Sequence, residues 1–208
     1  VVIPPTYSLE KTSENKIKPA RKSEVVSLLT ICRLENRKGI LPVLRCLSNL
    51  NTNNLLKPFK WNICGEGLQF EELKENIKKL NLSKNVFLDG KINGNLKQKF
   101  LESSDVFVMP SYKVNNSIEG FGISYIEAAA YRIPSIAGLD GGVTDAVIDN
   151  KTGWCVDPLN QEQLANVLTD AINNKDQRQK YGLHAEKNFL QYFLGEKVFR
   201  KFMDTISI

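Results

Sequence analysis

The chain has 208 residues, 42% hydrophobic and 25% charged, with a formal net charge of +5. That balance excludes disordered and fibrous classes and suits one compact domain around one sizeable core. No apolar run reaches the ~18 residues needed to cross a bilayer, and the scattered lysines lack the arginine–aromatic pattern of nucleic-acid readers.

Residues 1–23 read as an interdomain linker, because Pro4, Pro5 and Pro19 interrupt regular structure and KTSENKIKPARKSE is polar and charged. The segment VVIPPTYSLEK also lacks the basic start and long apolar core of a signal peptide. The domain begins at Glu24. VVSLLTI (Val25–Ile31) is a continuous apolar run, as in a strand buried on both faces. Gly39–Leu50 has helical spacing, with Pro42 near its start, where a helix tolerates proline. WNIC (Trp61–Cys64) predicts a strand, Phe70–Leu80 a helix, Asn85–Gly90 a strand and Asn95–Ser104 a helix. DVFVMPS (Asp105–Ser111) is a strand ended by Pro110. The stretch IEGFGISYIEAAAY is a loop running into a helix. IPSIAG (Ile133–Gly138) and GWCVDP (Gly153–Pro158) are strands, followed by helices over Gln161–Asn173, Asp176–Tyr192 and Glu196–Thr205. Short apolar strands alternating with amphipathic helices imply right-handed βαβ units. The expected fold is α/β: a Rossmann-like, doubly wound parallel sheet with C-terminal helices, binding ligands beyond the carboxyl ends of its strands.

The unusual residues cluster at those ends. Arg33 follows the first strand, with Lys38 and Gly39 opening the next helix; this pair suits either a diphosphate site or a solvated loop. Gly65-Glu66-Gly67 follows the second strand, but no third glycine completes a dinucleotide fingerprint, so it is a plain turn or a close backbone approach to a nucleotide. Lys91-Ile92 follows the third strand, as a simple turn or beside a base. Glu119 sits next to Gly120-Phe121-Gly122, and Glu127 lies eight residues on, among alanines. Positions eight apart on a helix differ by roughly 80°, so two such carboxylates can flank one cleft; alternatively Glu119 caps the helix and Glu127 is exposed on it. Gly141-Gly142 precedes a short helical segment, as a tight turn or an anion nest. The four cysteines, Cys32, Cys46, Cys64 and Cys155, have no zinc-ligand spacing. They read as reduced thiols in a reducing, cytoplasmic compartment. The single histidine, His184, reads as a surface residue in a polar helix.

In this order the motifs resemble the C-terminal domain of the retaining, family 4 (group 1) glycosyltransferases of two-Rossmann-domain, GT-B architecture. The resemblance covers about residues 24–205 and rests on E-x7-E from Glu119 to Glu127, R-x4-K-G from Arg33 to Gly39, G-E-G, SSDVFVMPS, and GG followed by an acidic position and TGW. It implies one half of a GT-B fold, with an acceptor-binding N-terminal domain elsewhere. By the resemblance Arg33 and Lys38 bind the donor diphosphate, and Glu119 faces the donor sugar. Gly120, Phe121 and Gly122 contact sugar or phosphate, and Glu127 bonds the ribose hydroxyls. Gly65 and Gly67 lie near the nucleotide, and Lys91 and Ile92 near the base. The implied activity is retaining hexose transfer from a nucleoside-diphosphate sugar to a glycan or lipid-linked acceptor, with no metal or other cofactor, no nucleic-acid partner, and room for peripheral contact with the inner face of the membrane. Alone, the domain is expected to bind donor and transfer little. The alternative is a non-catalytic nucleotide-sugar-binding module or a subunit of a split transferase. Three positions depart from the family pattern: Cys32 replaces a glycine, Asp145 replaces a glutamate, and the loop SYKVNNSIEGFG is long, resembling some GDP-mannose-dependent mannosyltransferases.

Overall fold

The computed structural model describes residues 5–7 and 23–206. Most of the expected linker therefore lies outside the described residues. Six strands and eight helices alternate among the described residues: β1 (Val26–Ile31), α1 (Ile40–Thr52), β2 (Phe59–Cys64), α2 (Phe70–Lys79), β3 (Val86–Gly90), α3 (Gly94–Ser103), β4 (Val106–Met109), α4 (Ile123–Ala130), β5 (Ser135–Ala137), α5 (Val143–Ala146), β6 (Gly153–Cys155), α6 (Gln161–Asn173), α7 (Lys175–Tyr192) and α8 (Gly195–Ile206). The strands form one parallel sheet in the order β3-β2-β1-β4-β5-β6. This is a doubly wound parallel sheet, the architecture expected from the sequence. The direction of winding reverses between β1 and β4, which opens a crevice at their carboxyl ends.

β1 and β4 send alternate side chains to opposite faces, and both faces are covered: β4 is apolar throughout, and β1 is apolar apart from the buried Ser27 and Thr30. Leu28, Val106 and Val108 enter one core, shared with α1, α2 and α6. Leu29, Phe107 and Met109 enter a second core under α3, α4, α5 and α7. With helices on both faces, neither side of these central strands meets water. Side-chain oxygens of Asn93, Asn160 and Asn174 accept the Leu96, Gln163 and Gln177 amides and start α3, α6 and α7.

Some expected boundaries shrink, for local reasons. Asp105 stays outside β4, although its amide donates to the Ser27 carbonyl at 2.7 Å and its carboxylate accepts the Ser27 amide at 2.8 Å. At the other end Pro110 has no N–H to continue the ladder, and the Ser111 amide folds back onto the Met109 carbonyl at 2.7 Å. The strand expected through Pro158 ends at Cys155. A 3-10 turn over Asn36–Lys38, unexpected from the sequence, sits ahead of α1.

Candidate active site

The loops after β1 and β4 meet at the crevice. Gly39 ends the 3-10 turn at φ +73, and a Cβ there would lie 2.1 Å from the Pro110 carbonyl oxygen. The Tyr112 amide donates to the Arg37 carbonyl at 2.8 Å and joins the same two loops. This contact brings Glu119 to the end of β1. Its Oε2 accepts from Arg37 Nη1 at 2.9 Å and also from Lys38 Nζ. The three side chains are mostly buried, at 18%, 8% and 12% exposure for Arg37, Lys38 and Glu119. An ammonium so withdrawn from water needs an anionic partner, and Glu119 is that partner. Arg37 also donates through Nε to Glu35 at 2.9 Å. Arg33 Nη1 reaches the other oxygen of Glu35 at 3.2 Å, with its side chain 76% exposed.

A cleft of about 420 Å3 opens here, lined by Cys32, Arg33, Lys38 and Glu119 and by Gly120, Phe121 and Gly122. Gly122 takes φ +80 at the start of α4, a left-handed conformation that suits glycine. Ser124 Oγ donates to the Ile31 carbonyl at 2.9 Å and ties the first turn of α4 to β1. The Phe121 ring packs edge-on against Phe193, 5.6 Å between centroids. A larger hollow, about 560 Å3, lies by Lys57, Asn166 and Asn173 before β2. It belongs to the amino end of the sheet, away from the switch point where ligands bind in this topology.

Glu127 is 7% exposed. This excludes the reading of it as an exposed helical glutamate. Its Oε1 is 2.5 Å from Lys97 Nζ of α3. Gly65 and Gly67 owe their identity to packing: a Cβ at Gly65 would meet the Cys32 carbonyl oxygen at 1.8 Å, and one at Gly67 the Leu34 carbonyl oxygen at 2.2 Å. Lys91 is exposed and Ile92 half-buried against the α3–α4 side of the core. Gly65, Gly67, Lys91, Ile92 and Glu127 stand outside the lining of the 420 Å3 cleft. The Gly141-Gly142 turn is a buttress. The Gly142 amide already donates to the Glu119 carbonyl at 3.3 Å, and the following helix, α5, has only four residues.

Burial pushes the Cys32 thiol up to about 12, only partly opposed by Lys38. Cys32 is therefore a neutral, space-filling group at pH 7 and no nucleophile. Burial likewise raises the Tyr125 phenol, which donates to the Met109 carbonyl at 2.5 Å. His184 is half-buried, with Nδ1 3.2 Å from the Lys151 carbonyl oxygen. Among the described residues no cluster of three His, Cys, Asp or Glu side chains could hold a metal.

Sequence reasoning missed two cations. Arg37 could have been noticed as the neighbour of Lys38 in NRKG. Lys97 carries no local signal, being one of two lysines in NLKQKF.

Residues 11–188 match the family described as Glycosyl transferases group 1. The chain belongs to this family. It corresponds to the C-terminal half of the GT-B glycosyltransferases. It is 30% identical over 149 residues to the poly(ribitol-phosphate) alpha-N-acetylglucosaminyltransferase of Staphylococcus aureus, covering 71% of this chain and 29% of that protein. It is 28% identical over 178 residues to the GDP-mannose-dependent alpha-(1-6)-phosphatidylinositol monomannoside mannosyltransferase of Mycolicibacterium smegmatis, covering 82% of this chain and 46% of that protein. The chain thus spans less than half the length of either group 1 relative. Its fold matches a crystal structure of a mutant of S. aureus TarM in complex with fondaparinux, alpha-GlcNAc-glycerol and UDP, with a TM-score of 0.72 and 25% identity, over 98% of this chain and 37% of that one. As a whole the described residues contain no helix long and apolar enough to cross a membrane.

Proposed function

We propose that this chain is the donor half of a retaining hexosyltransferase. It binds a nucleoside-diphosphate sugar at the β1–β4 crevice, and an N-terminal domain of the whole protein presents a glycan or lipid-linked acceptor. The observation that carries this reading is the pairing of Lys38 with Glu119 in the lining of one cleft at the switch point, with Arg37 held on the same glutamate. Arg33 and Lys38 bind the diphosphate and neutralise the charge that develops on it as it leaves. Arg33 is free to swing inward, since its present partner is an exposed Glu35 contact. Glu119 and residues Gly120 to Gly122 take the sugar, and Glu127 takes the ribose hydroxyls. Gly65, Gly67, Lys91 and Ile92 border the nucleoside. No metal is required in this scheme, because the two basic side chains supply the positive charge.

Retention agrees with the α linkages named for the two relatives, since an α-linked sugar nucleotide gives an α product with its configuration kept. The relatives divide over the sugar, one transferring N-acetylglucosamine and the other using GDP-mannose; the long loop before Glu119 favours GDP-mannose. Phe199, Phe202 and Met203 of α8 are exposed, which suits a helix that packs on the N-terminal domain, where any peripheral membrane contact would also lie. Residues 1–23 serve in this reading as a linker to that domain.

The test is calorimetric titration of the chain with UDP, GDP and ADP and with their glucose, mannose and N-acetylglucosamine conjugates. Saturable binding of one nucleotide, weakened in Glu127→Ala, is expected. If none of them binds, the donor reading is wrong for this chain.

A further inference from the structure

Glu127 is a carboxylate in the middle of an alanine-rich helix, flanked by buried Tyr125, Ile126, Ala128, Ala129 and Ala130. A charge in such surroundings persists only if it is paired or solvated. Among the described residues its partner is Lys97, 30 positions earlier in the chain and on a different helix. The Lys97 side chain is 30% exposed, and that of Glu127 only 10%. The ammonium thus approaches from the wetter side, reaching from α3 to α4. Both helices start at the carboxyl edge of the sheet, and each of the two residues lies about one turn from that start. Lys97 engages Oε1 alone. Fixing one oxygen of a carboxylate restricts its rotation and leaves Oε2 as an acceptor. An ionised carboxylate offers only acceptors, and the hydroxyls of a ribose diol are donors.

We propose that Lys97 is a positioning residue for the ribose of the donor nucleotide: by holding Glu127 Oε1 it sets the carboxylate that accepts the ribose hydroxyls. This rests on the donor reading given above. Lys97 acts through Glu127 and does not itself touch the reacting sugar. The same ion pair could instead only staple α3 to α4, and the two roles predict different nucleotide selectivity. A staple affects every ligand of the crevice alike. A positioning residue affects ligands according to whether they carry the hydroxyls.

The experiment titrates the unaltered chain, Lys97→Met and Lys97→Arg with UDP, GDP and ADP and with their 2′-deoxy and 3′-deoxy counterparts, with melting temperatures measured in parallel. For the nucleotide that binds, the unaltered chain is expected to prefer the ribo form over at least one deoxy form by about tenfold, the scale of a hydrogen bond to a charged acceptor. In Lys97→Met that ratio falls to about one to two, mainly through loss of ribonucleotide affinity. Lys97→Arg, which keeps a cation in place, retains most of the ratio. Three results overturn the inference: an unaltered chain that does not distinguish ribo from deoxy forms, a Lys97→Met chain that keeps the full ratio, or one that loses affinity equally for both. If the unaltered chain binds no nucleotide, the donor reading falls and this inference with it; binding with an unchanged ratio in Lys97→Met removes only this inference.

Discussion

Replacing Glu119 by glutamine should tighten the binding of a free nucleoside diphosphate. A single oxygen of Glu119 holds both Arg37 and Lys38. A diphosphate seeking Lys38 meets a carboxylate already there. Two unit charges 4 Å apart interact by about 4 kcal/mol at an effective dielectric of 20. The carboxylate and guanidinium keep some contact with solvent, at 12% and 18% exposure, and the glutamate can move aside toward the cleft. A net gain of about 1–1.5 kcal/mol is therefore reasonable, equivalent to roughly tenfold in Kd. Glu119→Gln keeps the shape and removes the charge. It also leaves Lys38, only 8% exposed, without its anionic partner, so the melting temperature of the free chain should fall. The rise in melting temperature on adding nucleotide should correspondingly grow. The assay is calorimetric titration of UDP and GDP, repeated with the sugar conjugates. Glu119→Gln should bind the diphosphate more tightly and yet gain less from an attached sugar than the unaltered chain does. A Glu119→Gln chain that remains folded and binds the diphosphate no better, or more weakly, would refute this electrostatic argument.

Gly65→Ala should destabilise the fold by about 2–4 kcal/mol in urea unfolding, because its Cβ would lie 1.8 Å from the Cys32 carbonyl oxygen. Leu68→Ser, three residues away at 99% exposure, should stay within about 0.5 kcal/mol. Alkylation of Cys32 by iodoacetamide at pH 8, followed by mass spectrometry, should be slow. Raising its pKa from 9.0 to about 12 lowers the thiolate fraction by roughly a thousandfold. The same shift, shared by Cys64 and Cys155 at about 12 and Cys46 at about 11, sets a sign for stability. The folded thiols ionise at higher pH than the unfolded ones, so their contribution is intact below pH 9 and is lost as pH rises toward 12. Urea midpoints at pH 7.5 and pH 10 should show the loss, and an unchanged midpoint would contradict the burial of these thiols.

The alternation of apolar strands and amphipathic helices, read from sequence, determined the parallel doubly wound sheet and placed Arg33, Lys38 and Glu119 in the loops at its carboxyl edge. It could do so because periodicity reports which faces are buried, and burial on both faces of β1 and β4 forces helices onto each side. The same local information left Glu127 undecided, since an alanine-rich helix is compatible with either an exposed or a paired carboxylate. Only the tertiary structure decided the partners. Arg37 and Glu119 are 82 positions apart and Lys97 and Glu127 are 30 apart, and nothing in the segments between them encodes the meeting. Those pairs exist because the winding reverses between β1 and β4, bringing the β1–α1 and β4–α4 loops into one crevice and α3 beside α4. A charge finds its partner through that topology, which is set by the packing of the whole sheet, and not through the pattern of residues around it.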